Sequence, residues 1–305
     1  MKEIYYLCKR NILVFIRDYS AVFFSVLSML IILLLQVVFL GEMNENSILW
    51  ALSEYGGERD VLTDEKNAEY LINVWTLAGI LIVNTVTVSL TVMQTMIRDE
   101  VKGQLASFYV VPVKRIKIAL SYILASGTIG SGMSFLTFLI GQGYLLLQGN
   151  PIFSVEVFLK VLAIILLNAF VYAAIGYLLA LFVHSESAWG GLLTVIGTLV
   201  GFLGGIYLPV SQLSEGVVKV LKCLPILHGT AMMREVLTKE ALETTFAGLS
   251  ERIPQQYAKE MGITLWNGEV QISLENQISI LLLYGIIAII VAAAISKRRT
   301  IQDRK

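Results

Sequence analysis

Polar side chains recur at helical spacing within one otherwise apolar stretch of the chain. Asn84, Thr87, Thr91 and Thr95 fall on one face of a helix, with Gln94 beside them. A polar group exposed to lipid is costly, so this stripe should face protein or a water-filled path. Contact with a transported solute is one interpretation. Interhelical hydrogen bonds, or bonds from each threonine to the preceding helical turn, fit the residues equally well.

The sequence predicts neither a metal site nor a nucleotide site. The cysteines, Cys8 and Cys223, and the histidines, His184 and His228, do not stand at metal-ligand spacing. The sequence contains no G-x-x-x-x-G-K-[ST] motif, so nothing in it would cradle nucleotide phosphates. We therefore expect a protein that is not an enzyme and that binds no cofactor or metal.

The composition is that of an integral membrane protein. Of the 305 residues, 56% are hydrophobic and only 15% are charged, against about 25% charged in soluble domains. Since a bilayer core of about 30 Å needs about 20 apolar residues in a helix, six stretches qualify as transmembrane helices. They are residues 21–40, 71–97, 118–147, 157–183, 189–208 and 278–295. The first is too long for the apolar core of a cleavable signal peptide.

The distribution of charge predicts the orientation of these six spans. With an even number of spans, both termini lie on one side, and that side receives 14 basic and 6 acidic residues. The opposite side receives 9 basic and 17 acidic residues. By the positive-inside rule the more basic side is cytoplasmic. Net charge is zero, so no nucleic-acid partner is indicated.

The segments outside the spans differ in character. Residues 1–18 alternate basic and apolar faces and predict an amphipathic helix in the cytoplasmic interface. Residues 41–70 form an acidic outer loop without periodicity. Within the outer segment 209–277, apolar spacing before Pro225 predicts a re-entrant helix. Farther on, a helix interrupted at Pro254 and a hairpin at Asn267-Gly268 form an extracellular insert.

The cytoplasmic loop 98–117 is charged at both ends and mixed apolar and polar between them. A short helix here would expose a face for docking to a cytoplasmic partner. A simple interfacial turn whose basic residues follow the positive-inside rule fits equally well. The residues alone leave both possibilities open.

This loop resembles the coupling helix of the type-2 ABC-transporter permease family. The matching features are an acidic start, a glycine, a short apolar helix and a proline-valine-basic exit. They fall at Asp99, Glu100, Gly103, Gln104, Leu105, Phe108, Tyr109 and Pro112. A second match runs from Gly204 to Glu235, where Gly-Gly, Pro209, a helix, Leu-Pro and a helix ending in arginine follow in order.

The resemblance implies an all-α permease domain over residues 1–305 that acts as a dimer. It implies two copies of a cytoplasmic ATPase, which would bind the ATP and Mg²⁺, and a second permease copy, identical or related. The second and fifth spans would line the dimer interface and the path. The cargo would be a drug, an antimicrobial peptide or a lipid-like molecule, exported across a bacterial plasma membrane as in drug resistance.

Glycines repeat every fourth residue in the fifth predicted span, at Gly197, Gly201 and Gly205, with Gly204 adjacent. Such a ridge lets helices approach closely, either between two copies of the chain or within one bundle. No span carries an ionisable residue near its centre, which disfavours a carrier driven by protons or sodium. A membrane sensor or scaffold that binds a partner through the insert 238–275 is the alternative function.

Overall fold

A computed structural model describes residues 2–35, 41–105, 113–205 and 209–298. Within these ranges the chain is almost wholly α-helical. The helices are α1 (Lys2–Ile16), α2 (Tyr19–Leu35), α3 (Gly41–Tyr55), α4 (Val61–Val101), α5 (Arg115–Leu147), α6 (Val155–Ala180), α7 (Glu186–Leu203), α8 (Glu215–Cys223), α9 (Pro225–Thr245), α10 (Arg252–Glu260) and α11 (Leu274–Arg298). A 3₁₀ turn, Val210–Gln212, and two short strands, β1 (Trp266–Asn267) and β2 (Val270–Gln271), complete the set.

Five of these helices are long and apolar enough to cross a membrane: α4, α5, α6, α7 and α11. They coincide with the second to sixth predicted spans. The first predicted span begins as α2, and its last residues, 36–40, lie outside the described residues. The all-α, multi-pass membrane class is therefore confirmed. The assignment of α1 to the membrane interface stays a prediction.

The prediction for residues 41–70 is wrong, because most of them are helical. Gly41–Tyr55 forms α3, and α4 begins ten residues before the predicted span. Asp60 caps α4 by accepting a hydrogen bond from the Thr63 N–H. Arg59 forms an ion pair with Asp64 in the first turn of α4, with Nε 2.9 Å from the carboxylate. These polar residues disrupt the apolar periodicity, yet they fix where α4 begins.

Helix α4 is the centre of the bundle. Of its most apolar 18-residue stretch, 89% is buried, against 17% for α7 and 22% for α11. The main core cluster joins residues of α4 to residues of α3, α5, α6 and α9. Burial on all sides explains why α4 is apolar around most of its circumference, whereas α11 has a broad exposed face of leucine and isoleucine.

The predicted outer segment, residues 209–277, is folded against the bundle. Helices α8 and α9 meet at an angle of 89° at Leu224–Pro225, where proline stands in the first turn of α9. The next break falls at residues 246–251, where Gly248 has φ +83°, and not at Pro254, which lies in the first turn of α10. The predicted hairpin forms, but Asn267 pairs with Val270, so its two-residue turn is Gly268-Glu269.

Candidate coupling and translocation sites

The C-terminal end of α4 is fixed by a buried carboxylate. Asp99 is 3% exposed and accepts hydrogen bonds from Arg10 Nη2, at 2.7 Å, and from the Tyr122 hydroxyl, at 2.5 Å. Arg10 Nη2 also lies 2.9 Å from Gln104 Oε1. The hydrogen bond to Asp99 raises the pKa of Arg10. The cluster therefore joins α1, α4 and α5 at the beginning of loop 98–117.

Further charge pairs surround this cluster. Arg98 lies 3.4 Å from Asp18 and 3.9 Å from Glu186, which connects α4 to the start of α2 and of α7. His184 Nδ1 lies 3.3 Å from Glu100 Oε1. The end of α4 is thus linked by polar contacts to α1, α2, α5 and α7. A displacement of the loop would be transmitted to all of them.

Lys117 and Glu3 form another contact between α1 and α5 on this side. The Lys117 ammonium donates a hydrogen bond to the Glu3 carboxylate, and this bond lowers the pKa of Glu3. Together with the Arg10 cluster, the pair holds α1 along the beginning of α5.

The start of the predicted coupling segment has a distinct backbone conformation. Gly103 has φ +70°, which ends α4, and an added Cβ would meet no atom within 4 Å. Leu105, by contrast, is 3% exposed and packs in the core cluster near Met96 and Ile97. Asp99 and Leu105 are therefore internal, whereas Gly103 and Gln104 are exposed. Phe108, Tyr109 and Pro112 lie outside the described residues.

The accessible face of α4 is narrow and polar. From Val74 to Asp99, the residues that are not fully buried are Thr87, Thr91, Gln94 and Arg98. Their spacing places them on one stripe in the C-terminal half of the helix. The hydroxyls of Thr87 and Thr91 donate to backbone carbonyls one turn earlier, at 2.9 and 2.8 Å. Because those donors are satisfied within the helix, the stripe can face an apolar solute or another helix without loss.

The other two residues of the predicted stripe are buried within the bundle. Asn84 is 7% exposed and donates to Thr137 Oγ1 of α5 at 2.7 Å. Thr95 is also 7% exposed. Asn84 belongs to a polar contact between α4 and α5 that includes Ser89, whose carbonyl accepts from Ser126 at 2.6 Å. In this chain Asn84 therefore acts as an interhelical hydrogen-bond donor.

Helix α7 presents an open face of small, hydroxyl and apolar residues. The exposed positions recur at helical spacing: Gly191, Thr194, Val195, Thr198, Leu199 and Phe202. A Cβ added at Gly197 would meet nothing within 4 Å. At Gly204 it would lie 3.3 Å from Thr230 Oγ1 of α9. The glycines of the predicted ridge therefore have two different environments. Gly197 lies in open space, whereas Gly201, Gly204 and Gly205 are buried.

The C-terminal end of α7 is held by Arg234, the arginine that ends the second family match and to which the sequence alone assigned no contact. Arg234 of α9 is 0% exposed and donates to the Gly205 carbonyl at 2.7 Å and to the Met261 carbonyl at 3.3 Å. Its guanidinium lies 3.9 Å from the Trp75 ring centroid. Pro209, just beyond, is buried. The signal that could have found this contact was an arginine within a helix of apolar and small residues.

Tyr122 was also missed. Its position near the start of a predicted span is typical of an interface anchor, and nothing in its spacing indicates that it shares a carboxylate with Arg10. That partnership arises because α1 folds back across the ends of α4 and α5.

The fold and these sites define a multi-pass, all-α membrane protein in which residues 209–277 are folded against the bundle. The chain belongs to the ABC-2 family transporter proteins, whose family model matches residues 60–295. It is accordingly a permease subunit of an ABC transporter, a class that works with an ABC ATPase. A comparison with curated proteins finds no match.

Proposed function

We propose that this chain is the membrane subunit of an ABC exporter that moves an amphipathic or hydrophobic molecule outward. Two copies of a cytoplasmic ATPase would bind ATP and Mg²⁺ and dock on loop 98–117. A second permease copy, identical or related, would complete the path. Drug, antimicrobial peptide and lipid-like cargoes all suit the residues of the accessible faces, and the bacterial plasma membrane is the proposed location.

The observation that carries this proposal is the continuity of α4. This helix has 41 residues, so it extends about 60 Å at about 1.5 Å per residue. Its cytoplasmic end holds Asp99 and the exposed Gly103 turn, and Trp75 in its outer half contacts Arg234. A force applied at the loop would therefore reach the outer segment through a single rigid element.

The accessible faces support a path between two permease copies. The stripe of Thr87, Thr91 and Gln94 is the exposed part of α4, and α7 packs beside α4 with its own open face. Both faces combine hydroxyl and apolar groups, which is what an amphipathic cargo or a second helix requires. This arrangement agrees with the family expectation that the second and fifth spans line the interface.

The test compares two glycines with matching backbone geometry on opposite sides of the bundle. Gly103 and Gly57 have φ +70° and +67°, and an added Cβ would meet no atom within 4 Å at either position. Alanine at each should cost about 1–2 kcal/mol of backbone strain. We expect Gly103→Ala to lower permease-stimulated ATPase activity severalfold. Gly57→Ala should leave it unchanged, and both proteins should insert normally.

A third variant separates backbone geometry from other effects. Asparagine tolerates the left-handed conformation, so Gly103→Asn should retain most of the stimulation. ATPase activity would be measured with the partner ATPase co-purified and the complex in lipid nanodiscs. Equal loss in Gly103→Ala and Gly57→Ala, or full stimulation in Gly103→Ala, would contradict docking at this loop.

A further inference from the structure

An apolar slot opens between three helix ends on the cytoplasmic side of the bundle, away from the exposed faces of α4 and α7. It has a volume of about 290 Å³ and is formed by the start of α5 and the ends of α6 and α11. Its walls are almost entirely aliphatic. The deeper lining residues are Ala119, Ile123, Tyr177, Ile289, Ala292 and Ala293. Such a lining suits a hydrocarbon chain, and the volume is at the lower end of ligand sites.

The mouth of the slot has the opposite character. Lys114 and Arg115 line it, and Lys114 is exposed, with no hydrogen bond or ion pair to any described residue. Arg115 donates one guanidinium N–H to the Ser296 carbonyl at 3.1 Å, which holds the cation at the mouth. No acidic residue lines the slot. The mouth therefore complements an anion.

A buried donor adds an independent indication of a ligand. The Ser296 hydroxyl also lines the slot, is shielded from solvent and has no hydrogen-bond partner among the described residues. A buried polar group without a partner is costly and calls for explanation. An oxygen of a ligand headgroup, placed between Ser296 and the two basic side chains, would satisfy it.

The dimensions suit the upper part of one acyl chain in one leaflet. From Ser296 to Ile289 along α11 the rise is about 10 Å at about 1.5 Å per residue. The slot thus extends from the basic mouth about one third of the way across a bilayer core of about 30 Å. The polar donors at the mouth complement the phosphate of a phospholipid, and the aliphatic wall below them complements an acyl chain.

We propose that this slot binds an anionic phospholipid of the cytoplasmic leaflet, with its phosphate at Lys114, Arg115 and Ser296 and one acyl chain along Ala293 and Ile289. The assignment to that leaflet rests on the orientation in the proposed function. Lys114 and Arg115 directly follow the predicted coupling segment and lead into α5. A bound lipid would therefore anchor the exit of that segment to the membrane, which makes this site a lipid-dependent element of coupling.

The first experiment measures binding of phosphatidylglycerol and phosphatidylcholine to the purified full-length chain by native mass spectrometry. We expect preferential retention of phosphatidylglycerol. Lys114→Gln/Arg115→Gln should weaken its binding about thirtyfold, since each basic side chain near a membrane surface contributes about fivefold. Lys9→Gln/Lys102→Gln removes the same charge from exposed positions outside the slot and should change binding by less than about twofold.

The second experiment fills the slot without changing any charge. Ala293→Leu places a larger side chain in the lining, whereas Ala294→Leu adds the same volume at the adjacent exposed position outside the slot. We expect Ala293→Leu to reduce phosphatidylglycerol retention at least tenfold and Ala294→Leu to leave it intact. Equal retention in both leucine variants, or equal loss in the two charge variants, would overturn the site. Because this assay needs no ATPase, its result is independent of whether loop 98–117 couples to ATP hydrolysis.

Discussion

The Arg10 and Asp99 side chains of one ion pair differ in solvent exposure. This difference predicts that mutating one partner costs more stability than mutating the other. The Asp99 side chain is 4% exposed and that of Arg10 is 31% exposed. In Arg10→Met, the carboxylate would remain buried with Tyr122 as its described partner, and we expect a loss of about 3–5 kcal/mol in the free energy of unfolding. In Asp99→Asn, Arg10 keeps Gln104 and Asn11 as acceptors, so the expected loss is about 1–2 kcal/mol.

The double variant identifies the origin of the difference. In the Asp99→Asn background, removing Arg10 leaves no buried charge without its partner. Arg10→Met/Asp99→Asn should therefore cost little more than Asp99→Asn alone, so the coupling energy should approach the full cost of Arg10→Met, about 3–5 kcal/mol. The assay is reversible unfolding of the purified chain in mixed micelles, followed by circular dichroism.

A control pair defines the baseline for an exposed charge. Lys160 and Glu156 also form an ion pair, but their side chains are 56% and 74% exposed. Lys160→Met should leave stability unchanged within error. The reasoning is refuted if Arg10→Met costs no more than Asp99→Asn, or if the two single losses simply add in the double variant.

Two further predictions concern helix contacts. Gly130→Ala should destabilise the bundle by about 1–3 kcal/mol in the same assay, because its Cβ would lie 2.3 Å from Ser89 Oγ of α4. The control is Gly132→Ala on the same helix, whose Cβ meets no atom within 4 Å and which should be neutral or slightly stabilising. The second prediction uses a chain in which both native cysteines are replaced by serine. In it, Thr198→Cys on the open face of α7 should form disulfide-linked dimers under mild oxidation, while Ile286→Cys on the exposed face of α11 should not. Equal crosslinking at both positions would contradict a dimer through α7.

Long apolar helices were predictable because each depends on local composition. The second to sixth predicted spans coincide with helices long and apolar enough to cross a membrane, since an apolar stretch of sufficient length is itself the requirement for crossing lipid. The same reasoning failed for residues 41–70. Those residues form α3 and the start of α4 through a cap at Asp60 and an ion pair at Asp64, and neither feature produces apolar periodicity.

The candidate sites were only partly predictable. The stripe of threonines was visible from spacing, but spacing could not show that Asn84 bonds to Thr137 while Thr87 and Thr91 reach the accessible face. The glycine ridge was likewise visible, and the structure then divided it between open space at Gly197 and packing against α9 at Gly204. In both cases the deciding factor is which neighbour occupies a given side of the helix.

The sequence by itself determined the membrane class, the locations of the long apolar helices, the absence of a phosphate-binding motif and the location of the loop that resembles a coupling helix. Each of these depends on residues close together in the chain. Only the tertiary structure decided that Asp99 is shared by Arg10 and Tyr122, that Arg234 holds the C-terminal end of α7, and that Lys114, Arg115 and Ser296 surround one apolar slot. These contacts join residues up to 181 positions apart (Arg115 to Ser296), and such partners are determined by how whole helices pack.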